Sequence, residues 1–243
     1  LNATATHDTK RGEDVRARLN VLSELPREWG QQVRSWSQLN RGLKKTLKRS
    51  KVPDKNDEYF LYQTLVGAWP LAEQEVPAFV ERLKDYLVKA VREAKVHTTW
   101  LKPDTAYEDA FIDFTDQILA SQRNGSFLGE FKAFQSKIAH FGMLNGLAQT
   151  LVKITAPGVP DFYQGSELWD LNLVDPDNRR PVDYAGRSAA LRELAVRADS
   201  DLEGLLDELL ADMTDGRIKL FLIHRALAER QRCPGLFRDG EYL

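Results

Sequence analysis

The sequence predicts a mainly helical protein in which a helical subdomain is inserted between two neighbouring strands of a parallel sheet or barrel. Two short β-tolerant stretches, residues 3–6 and 161–163, are each followed by a polar loop. The long sequence between them shows helical periodicity almost throughout. A strand–helix–strand unit needs only about 30 residues, so the excess indicates an inserted subdomain.

Composition excludes several classes of protein. The 243 residues are 42% hydrophobic and 29% charged, which is typical of a globular protein with its own core. The 34 basic and 36 acidic residues give a net charge of −2, so no net field attracts nucleic acid or an anionic membrane. Cys233 cannot form an intrachain disulfide, and no apolar run approaches the ~20 residues of a membrane span. We therefore expect a cytoplasmic protein.

The chain opens with the first candidate strand, its loop and a helix. Residues 3–6 are small, and residues 7–12 are polar and turn-like. Glu13 and Asp14 follow where carboxylates favour the start of a helix. Apolar residues then recur at helical spacing: Val15, Leu19 and Leu22.

Residues 26–120 are predicted to form a series of helices. Pro26 suits a first helical position, and Trp29 and Trp36 lie on one face of that helix, where we interpret them as core residues. Residues 41–51 contain six basic residues and predict a helix end with an exposed loop. Three further helices are expected to begin at a capping residue or an N-terminal proline: Asp57, Pro77 and Asp104.

The remaining sequence predicts helix, strand, long loop and helix again. A turn at Asn124-Gly125 precedes one or two helices, which end before the second strand at residues 161–163. A polar loop then continues to about Gly186, and two final helices are predicted over residues 201–212 and 217–230. We divide the chain into residues 1–24, the inserted helical subdomain 25–137, residues 138–200 with the second strand, and a helical lead 201–243.

The two polar loops are the candidate functional sites, because functional groups of a parallel barrel lie at the carboxyl ends of its strands. The first loop pairs His7 with the carboxylate of Asp8, beside Lys10 and Arg11, although an ordinary surface turn can show the same motif. The second offers groups that fit the hydroxyls and apolar faces of a sugar, although carboxylates beside arginines also form structural ion pairs. These residues are Tyr163, Glu167, Asp175, Asp177, Asn178, Arg179 and Arg180.

Neither a metal nor a nucleotide is predicted. His97, His140 and His224 have no second histidine or cysteine at ligand spacing. The glycines do not form a phosphate-binding loop between a strand and a helix. The basic run at residues 44–51 has no interleaved aromatic residues, so it is typical of a solvated helix end. We therefore predict no cofactor, no metal and no nucleic-acid partner.

Three longer motifs resemble the maltooligosyltrehalose synthases, a branch of the α-amylase family (glycoside hydrolase family 13). Residues 3–14, Ala-Thr-Ala-Thr-His-Asp-Thr-Lys-Arg-Gly-Glu-Asp, resemble the segment after the seventh barrel strand. Residues 157–167 resemble the eighth strand, and residues 173–183 resemble the family's Asp-Pro-Asp-Asn-Arg-Arg-Pro segment. The resemblance implies the last two β/α units of a (β/α)8 TIM barrel, incomplete in a fragment that lacks the earlier strands and a carboxyl-terminal β domain.

The same resemblance implies roles for the loop residues. Asp8 corresponds to the third family carboxylate, which holds sugar hydroxyls and stabilises an oxocarbenium-like state, and His7 binds the same glucose. Lys10, Arg11 and the loop at residues 175–180 are the candidates for holding the released glucose. The family's nucleophile and its acid/base residue lie on barrel strands four and five, so the chain alone is expected to be inactive.

In the intact enzyme the implied reaction is a retaining intramolecular transglycosylation. It converts the reducing-end α-1,4 bond of a maltooligosaccharide into an α,α-1,1 bond. The implied partners are this substrate and the downstream maltooligosyltrehalose trehalohydrolase, and the fragment is expected to dimerise through surfaces left by the missing barrel. Two alternatives stay open: another α-amylase family glucanotransferase or trehalose-cleaving hydrolase, and a non-catalytic helical module that binds glucan or protein.

Overall fold

A computed structural model of the chain describes residues 1–120 and 127–241, so the predicted turn at Asn124-Gly125 lies outside the described residues. The described chain is mainly helical, as predicted. Its α-helices are α1 (Glu13–Glu24), α2 (Pro26–Asn40), α3 (Lys55–Ala68), α4 (Val76–Ala94), α5 (Thr105–Ala120), α6 (Phe127–Thr155), α7 (Tyr184–Ser200), α8 (Leu202–Ala211), α9 (Arg217–Arg232) and α10 (Pro234–Asp239). Its strands are β1 (Asn2–Ala3), β2 (Lys45–Leu47), β3 (Ser50–Val52) and β4 (Pro160–Asp161).

The two strands that flank the helical sequence pair with each other in parallel. β1 and β4 form a two-stranded sheet in which Asn2 lies opposite Pro160. Both strands are shorter than predicted and start one residue earlier. The chain turns soon after β1, because the N–H of Thr6 donates to Thr9 Oγ1 (2.8 Å) within the following loop.

The chain divides into two compact units. The strand unit consists of Leu1–Ala17 and Gly142–Leu243, and the insertion unit consists of Arg18–Phe141. The predicted subdomain at residues 25–137 lies within this continuous stretch. Its predicted end falls inside α6, which continues unbroken to Thr155.

The core of the insertion unit is aromatic. The indole of Trp36 on α2 is fully buried. It makes edge-to-face contacts, with ring centroids 5.4–5.8 Å apart, with five other rings: Trp29, Tyr62, Phe127, Phe131 and Phe134. Aromatic rings favour this arrangement because the positive edge of one meets the negative face of the other. The prediction that Trp29 and Trp36 are core residues is confirmed.

Residues 45–52 form a β-hairpin where the sequence predicted an exposed loop. β2 and β3 pair antiparallel, with Lys45 opposite Val52. The turn residues Lys48 and Arg49 have φ values of 49° and 73°, in the left-handed region. Two consecutive residues with positive φ are typical of tight hairpin turns, which Asn-Gly usually forms. The usual sequence signature is therefore absent from this turn.

Helix α3 begins earlier than predicted, because its N-cap is Asp54 and not Asp57. The Oδ1 atom of Asp54 accepts hydrogen bonds from the N–H groups of Asn56 and Asp57, both at 2.8 Å. Asp57 is itself a good capping residue type, so the sequence offered two candidates three positions apart. At α5 the predicted cap is confirmed, since Asp104 Oδ1 accepts from the N–H of Tyr107 at 3.2 Å.

The helices after β4 form the apolar core of the strand unit. α7, α8 and α9 bury Leu194, Leu205, Leu209, Leu220 and Phe221 against one another. α7 and α8 each begin at an aspartate, because Asp183 Oδ1 accepts from the N–H of Gly186 (2.9 Å) and Asp201 Oδ1 accepts from the N–H of Gly204 (3.0 Å). Among the helices in the described ranges, none is both long enough and apolar enough to cross a membrane.

Candidate functional site

The first polar loop is a tight turn that exposes His7 and Asp8. The N–H of Thr9 donates to Thr6 O (3.1 Å), and the N–H of Asp8 donates to Thr6 Oγ1 (3.3 Å). His7 Nε2 lies 3.3 Å from Asp8 Oδ2, and the two side chains are 56% and 86% exposed. Lys10 beside them is also exposed. The turn thus holds an imidazole and a carboxylate side by side where a ligand can reach both.

The second polar loop contacts the first directly. Asn178 is buried, and its Nδ2 donates to the carbonyl oxygen of His7 at 2.9 Å. Arg11 and Leu173 form an isolated antiparallel bridge between the two loops. The structure therefore brings His7, Asp8, Arg11 and Asn178 together, although His7 and Asn178 are 171 positions apart in the sequence.

Four charged residues predicted for the site form ion pairs within the second loop. Asp175 Oδ1 lies 2.7 Å from Arg179 Nε, and Asp177 Oδ1 lies 3.0 Å from Arg180 Nε. Asp177 also accepts from the N–H of Leu173 at 2.8 Å through Oδ2. These contacts shape the loop, while the arginine side chains remain 53% and 50% exposed.

Two further predicted residues, Glu167 and Tyr163, have described contacts within their own segment. Glu167 Oε2 lies 3.2 Å from Arg187 Nε, and the same guanidinium donates to Gly165 O at 3.2 Å. The carbonyl oxygen of Tyr163 accepts from both the N–H and the hydroxyl of Ser166. Glu167 therefore orders the start of the loop, and the structure shows no described contact from it to the His7–Asp8 turn.

A buried ion cluster, which the sequence analysis did not predict, anchors the residues that follow the first loop. It comprises Glu13, Asp14, Lys153, Asp170 and Lys219, each at most 5% exposed. Lys219 Nζ lies 2.6 Å from Glu13 Oε1 and 2.7 Å from Asp14 Oδ2. Lys153 Nζ lies 3.4 Å from Glu13 Oε2. One carboxylate thus contacts both ammonium groups.

Asp170 connects the buried ion cluster to the second loop. The N–H of Glu13 donates to Asp170 Oδ2 (3.1 Å), and the N–H of Asp170 donates to Asp14 Oδ2 (2.7 Å). A Cβ atom at Gly12 would lie 2.5 Å from Asp170 O, so only glycine permits this close approach. Because Gly12 ends the first loop and Asp170 belongs to the second, these contacts fix the two loops relative to each other.

The cluster was missed because its members are far apart in sequence. Glu13 and Asp14 were recognised only as carboxylates at a helix start. Their partners Lys153 and Lys219 lie on α6 and α9. The sequence did contain a signal that the two lysines are buried, because each is flanked by aliphatic residues within an apolar stretch of helix. Val152 and Ile154 flank Lys153, and Ile218 and Leu220 flank Lys219.

The charges of the cluster favour the ionised forms of Glu13 and Lys219. Burial raises the pKa of Glu13, but Lys219 and Lys153 outweigh this effect and lower the pKa below its ordinary value. Burial lowers the pKa of Lys219, whereas Asp14 and Glu13 raise it above its ordinary value. Burial raises the pKa of Asp170, and the neighbouring Asp14 adds to the increase. Glu13 and Lys219 therefore form the charged centre of the cluster.

The described residues include one group with the donor atoms of a metal site, in the insertion unit. Asp54, Asp57 and His97 each offer a ligand atom within 4.8 Å of the others. Protein contacts account for all three: Asp54 caps α3, His97 Nε2 lies 2.8 Å from Asp54 Oδ2, and the hydroxyl of Tyr107 donates to Asp57. We interpret this group as a capping and hydrogen-bond network.

Comparison with known proteins relates the chain to one kind of enzyme. It is 41% identical over 194 residues to the Mycobacterium tuberculosis protein named "Putative maltooligosyl trehalose synthase". The match covers 80% of this chain and 24% of that relative, so the chain spans about a quarter of the relative's length. No model of a protein family matches the sequence.

Solved structures with the same name share the fold. A crystal structure of maltooligosyl trehalose synthase matches with a TM-score of 0.83 and 36% identity, covering 98% of this chain and 30% of that chain. The maltooligosyltrehalose synthase from Arthrobacter ramosus matches with a TM-score of 0.74 and 36% identity, covering 96% and 27%. The sequence comparison and the structural comparison therefore both identify proteins named as maltooligosyl trehalose synthases, and each match is to part of a longer chain.

Proposed function

We propose that this chain, a homologue of one segment of the maltooligosyl trehalose synthases, completes the sugar site of such an enzyme. The enzyme converts the reducing-end α-1,4 bond of a maltooligosaccharide into an α,α-1,1 bond by retaining intramolecular transglycosylation. The observation that carries the proposal is the exposed His7–Asp8 pair after β1, held in place by the second loop. Parallel barrels keep their functional groups at this end of the strands.

In this proposal Asp8 and His7 act on the same glucose unit. The Asp8 carboxylate accepts hydrogen bonds from sugar hydroxyls and stabilises the positive charge of the oxocarbenium-like transition state. His7 contributes a further hydrogen bond. The released glucose must turn without escaping, and Lys10, Arg11 and the ion-paired loop at residues 175–180 hold it while water is excluded.

The chain alone is not the complete catalyst in this proposal. A retaining glycosidase needs a nucleophile and an acid/base residue about 5–5.5 Å apart. In the α-amylase family these two residues belong to barrel strands four and five, whereas β1 and β4 correspond to strands seven and eight. The isolated chain therefore binds maltooligosaccharides weakly and does not convert them.

We also propose a cellular location and partners for the protein. A single cysteine fits a cytoplasmic enzyme. The α,α-1,1-linked product calls for a hydrolase that releases trehalose, so we include maltooligosyltrehalose trehalohydrolase as the downstream partner. The isolated chain dimerises through apolar surfaces that a complete barrel would cover.

The test incubates maltopentaose with the isolated 243-residue chain, with the native gene product that contains it, and with an Asp8→Asn variant of that product. A mutase removes reducing ends without releasing a matching amount of glucose. We expect this result for the native product only, and a loss of at least about 100-fold in Asp8→Asn. Asp116→Asn is the matched control, since it removes the same charge from a residue that is paired with Lys84 and lies outside the candidate site.

Any of three outcomes would overturn part of the proposal. If glucose is released while the number of reducing ends increases, the protein is a hydrolase, because hydrolysis of each glycosidic bond creates a new reducing end. If Asp8→Asn keeps its activity while the unfolding curve is unchanged, Asp8 has no catalytic role. Turnover by the isolated chain would place the nucleophile within these 243 residues.

A further inference from the structure

The insertion unit contains a positively charged groove with a cavity volume of about 790 Å³. Five cationic side chains and one carboxylate line it: Arg34, Arg41, Lys44, Lys51, Lys55 and Asp54. This local excess of positive charge contrasts with the net charge of −2 of the whole chain. We call this feature the basic groove.

The cations come from two walls. Arg34 and Arg41 lie seven positions apart near and at the carboxyl end of α2, which places them on one face of the helix. Lys51 lies on β3, and Lys55 begins α3. Residues from separate elements therefore converge on one space, which a run of basic residues along a single helix would not produce.

Part of the charge in the groove is already neutralised. Lys44 Nζ lies 2.9 Å from Glu58 Oε2 and donates to Pro53 O at 3.0 Å. The single carboxylate of the lining is also engaged, because Asp54 caps α3 and contacts His97. Lys44 and Asp54 are therefore fixed parts of the groove wall.

The other cations have no acidic partner in the described ranges. Arg34, Arg41 and Lys55 make no ion pair with a described residue, and Lys51 Nζ has only a 3.3 Å contact with the carbonyl oxygen of Lys44. Like charges held near one another repel unless an anion or solvent screens them. The arrangement therefore favours a bound anion.

We propose that the basic groove binds a phosphate-type oxyanion, either inorganic phosphate or the phosphate of a monoester. Guanidinium groups match the paired oxygens of such anions, and lysines add point charges. Gln38 and Ser50 in the lining supply neutral hydrogen-bond donors, whereas the Ser37 hydroxyl already donates to Glu58. The lining contains no aromatic side chain, so it offers no surface for stacking a sugar ring or a base. This assignment is independent of the sugar site proposed for the strand unit.

The test measures binding of inorganic phosphate to the 243-residue chain by isothermal titration calorimetry at low ionic strength. The double variant Arg41→Gln/Lys55→Gln removes one free cation from each wall. The matched control, Arg27→Gln/Arg49→Gln, removes two charges from exposed positions outside the lining. We expect the dissociation constant to rise tenfold or more in the groove variant and to stay within twofold of the original in the control.

A second arm separates the two sources of the anion. A hexose phosphate and the unphosphorylated hexose are titrated into the same proteins, with inorganic phosphate as competitor. Binding of the hexose phosphate that inorganic phosphate displaces, and that the groove variant loses, supports the proposal. Circular dichroism melting of each variant establishes that the fold is retained.

Several results would overturn the assignment. Absence of phosphate binding at millimolar concentration would mean that the groove is solvated surface. Equal weakening in the groove variant and the control would mean that only total charge matters. Retention of hexose phosphate binding by the folded groove variant would place that binding elsewhere.

Discussion

The strand unit and the insertion unit each bury a cluster of a different kind, beside their other buried residues. In the strand unit, the five charged residues of the buried ion cluster lie at most 5% exposed and connect α1, α6, α9 and the second loop. In the insertion unit, the rings packed around Trp36 occupy the centre. Both units also bury apolar residues, such as Leu194 on α7 and Phe79 on α4, but among the described residues only the strand unit buries five charged side chains in one cluster.

The aromatic cluster mainly stabilises its unit, whereas the buried ion cluster mainly fixes the positions of the two loops. Burial of aromatic rings is favourable over a range of packing arrangements, because the hydrophobic effect is not directional. Burial of charge costs several kcal/mol per ion, and the attraction between ions offsets this only when the geometry is correct. The strand unit therefore ties its two loops to one arrangement, whereas the insertion unit gains its stability from apolar contact.

The largest effect should follow Lys219→Met, which leaves the buried Asp14 without a lysine partner and Glu13 with Lys153 alone. Removing one partner of a buried ion pair costs about 3–5 kcal/mol, so we expect the strand unit to lose roughly this much stability. Hydrogen exchange of the amides in α1 and α9 measures the loss within this unit. Arg225→Met is the control, because it removes an exposed cation from the same helix and should change stability by less than about 0.5 kcal/mol. Equal effects of the two changes would show that the cluster has no special role.

Trp36→Phe should have a smaller effect on the insertion unit. The smaller ring leaves a cavity, but the substitution also removes an indole N–H that is buried without a hydrogen-bond partner in the described residues. We expect a net loss of about 1–2 kcal/mol, measured by hydrogen exchange of α2 and α3. Trp100→Phe, at a position that is 55% exposed, is the control. A loss as large as that of Lys219→Met would remove the contrast between the units.

Asn178→Ala should loosen the contact between the loops without unfolding either unit. It removes the hydrogen bond to His7 O, which is worth about 1 kcal/mol. Faster hydrogen exchange confined to residues 6–12 is the expected signature. Asn172→Ala is the matched control in the same loop, because its side chain accepts from Arg180 and makes no described contact with the first loop. If both variants exchange alike, Asn178 does not hold the first loop.

The smallest expected effect is on the pH dependence of the stability of the strand unit. The pKa of Glu13 is lowered below its ordinary value of 4.5, so its stabilising contribution is present above pH 4.5 and is lost as the pH falls through the lowered value. The raised pKa of Asp170 acts in the opposite direction. We therefore compare the chain with Glu13→Gln, and expect the stability of the strand unit to fall less steeply on acidification in the variant. Parallel curves of stability against pH would mean that the pKa of Glu13 is the same in the folded and the unfolded protein.

Local patterns predicted the helices, because helix formation depends on neighbouring residues, whereas the parallel pairing of β1 with β4 was inferred from the long helical sequence between them and from the family resemblance. The periodicity around Trp29 and Trp36 identified a buried face, and Asp104 identified a helix start. The hairpin at residues 45–52 was missed because Lys48 and Arg49 adopt positive φ without the glycine or asparagine that usually marks such a turn.

The candidate site could be predicted only in part from the sequence. The motif around His7 and Asp8 located the exposed pair, and its catalytic role remains a prediction. The loop charges Asp175 and Arg179 were recognised by type, but sequence cannot distinguish a sugar ligand from an ion pair, and the structure shows the ion pair. The buried ion cluster was not predicted, because its contacts, such as Glu13 with Lys219, join residues far apart in the chain.

The discontinuous course of the strand unit has a consequence for the order of synthesis. The insertion unit, Arg18–Phe141, is complete in the nascent chain before Lys153 and Lys219 have been made. Closing a contact across a long stretch of unfolded chain carries a larger entropic penalty than closing a local one. During synthesis on the ribosome, Glu13 and Asp14 therefore lack their complete set of lysine partners until α9 has emerged. The two loops acquire their final arrangement only after that point.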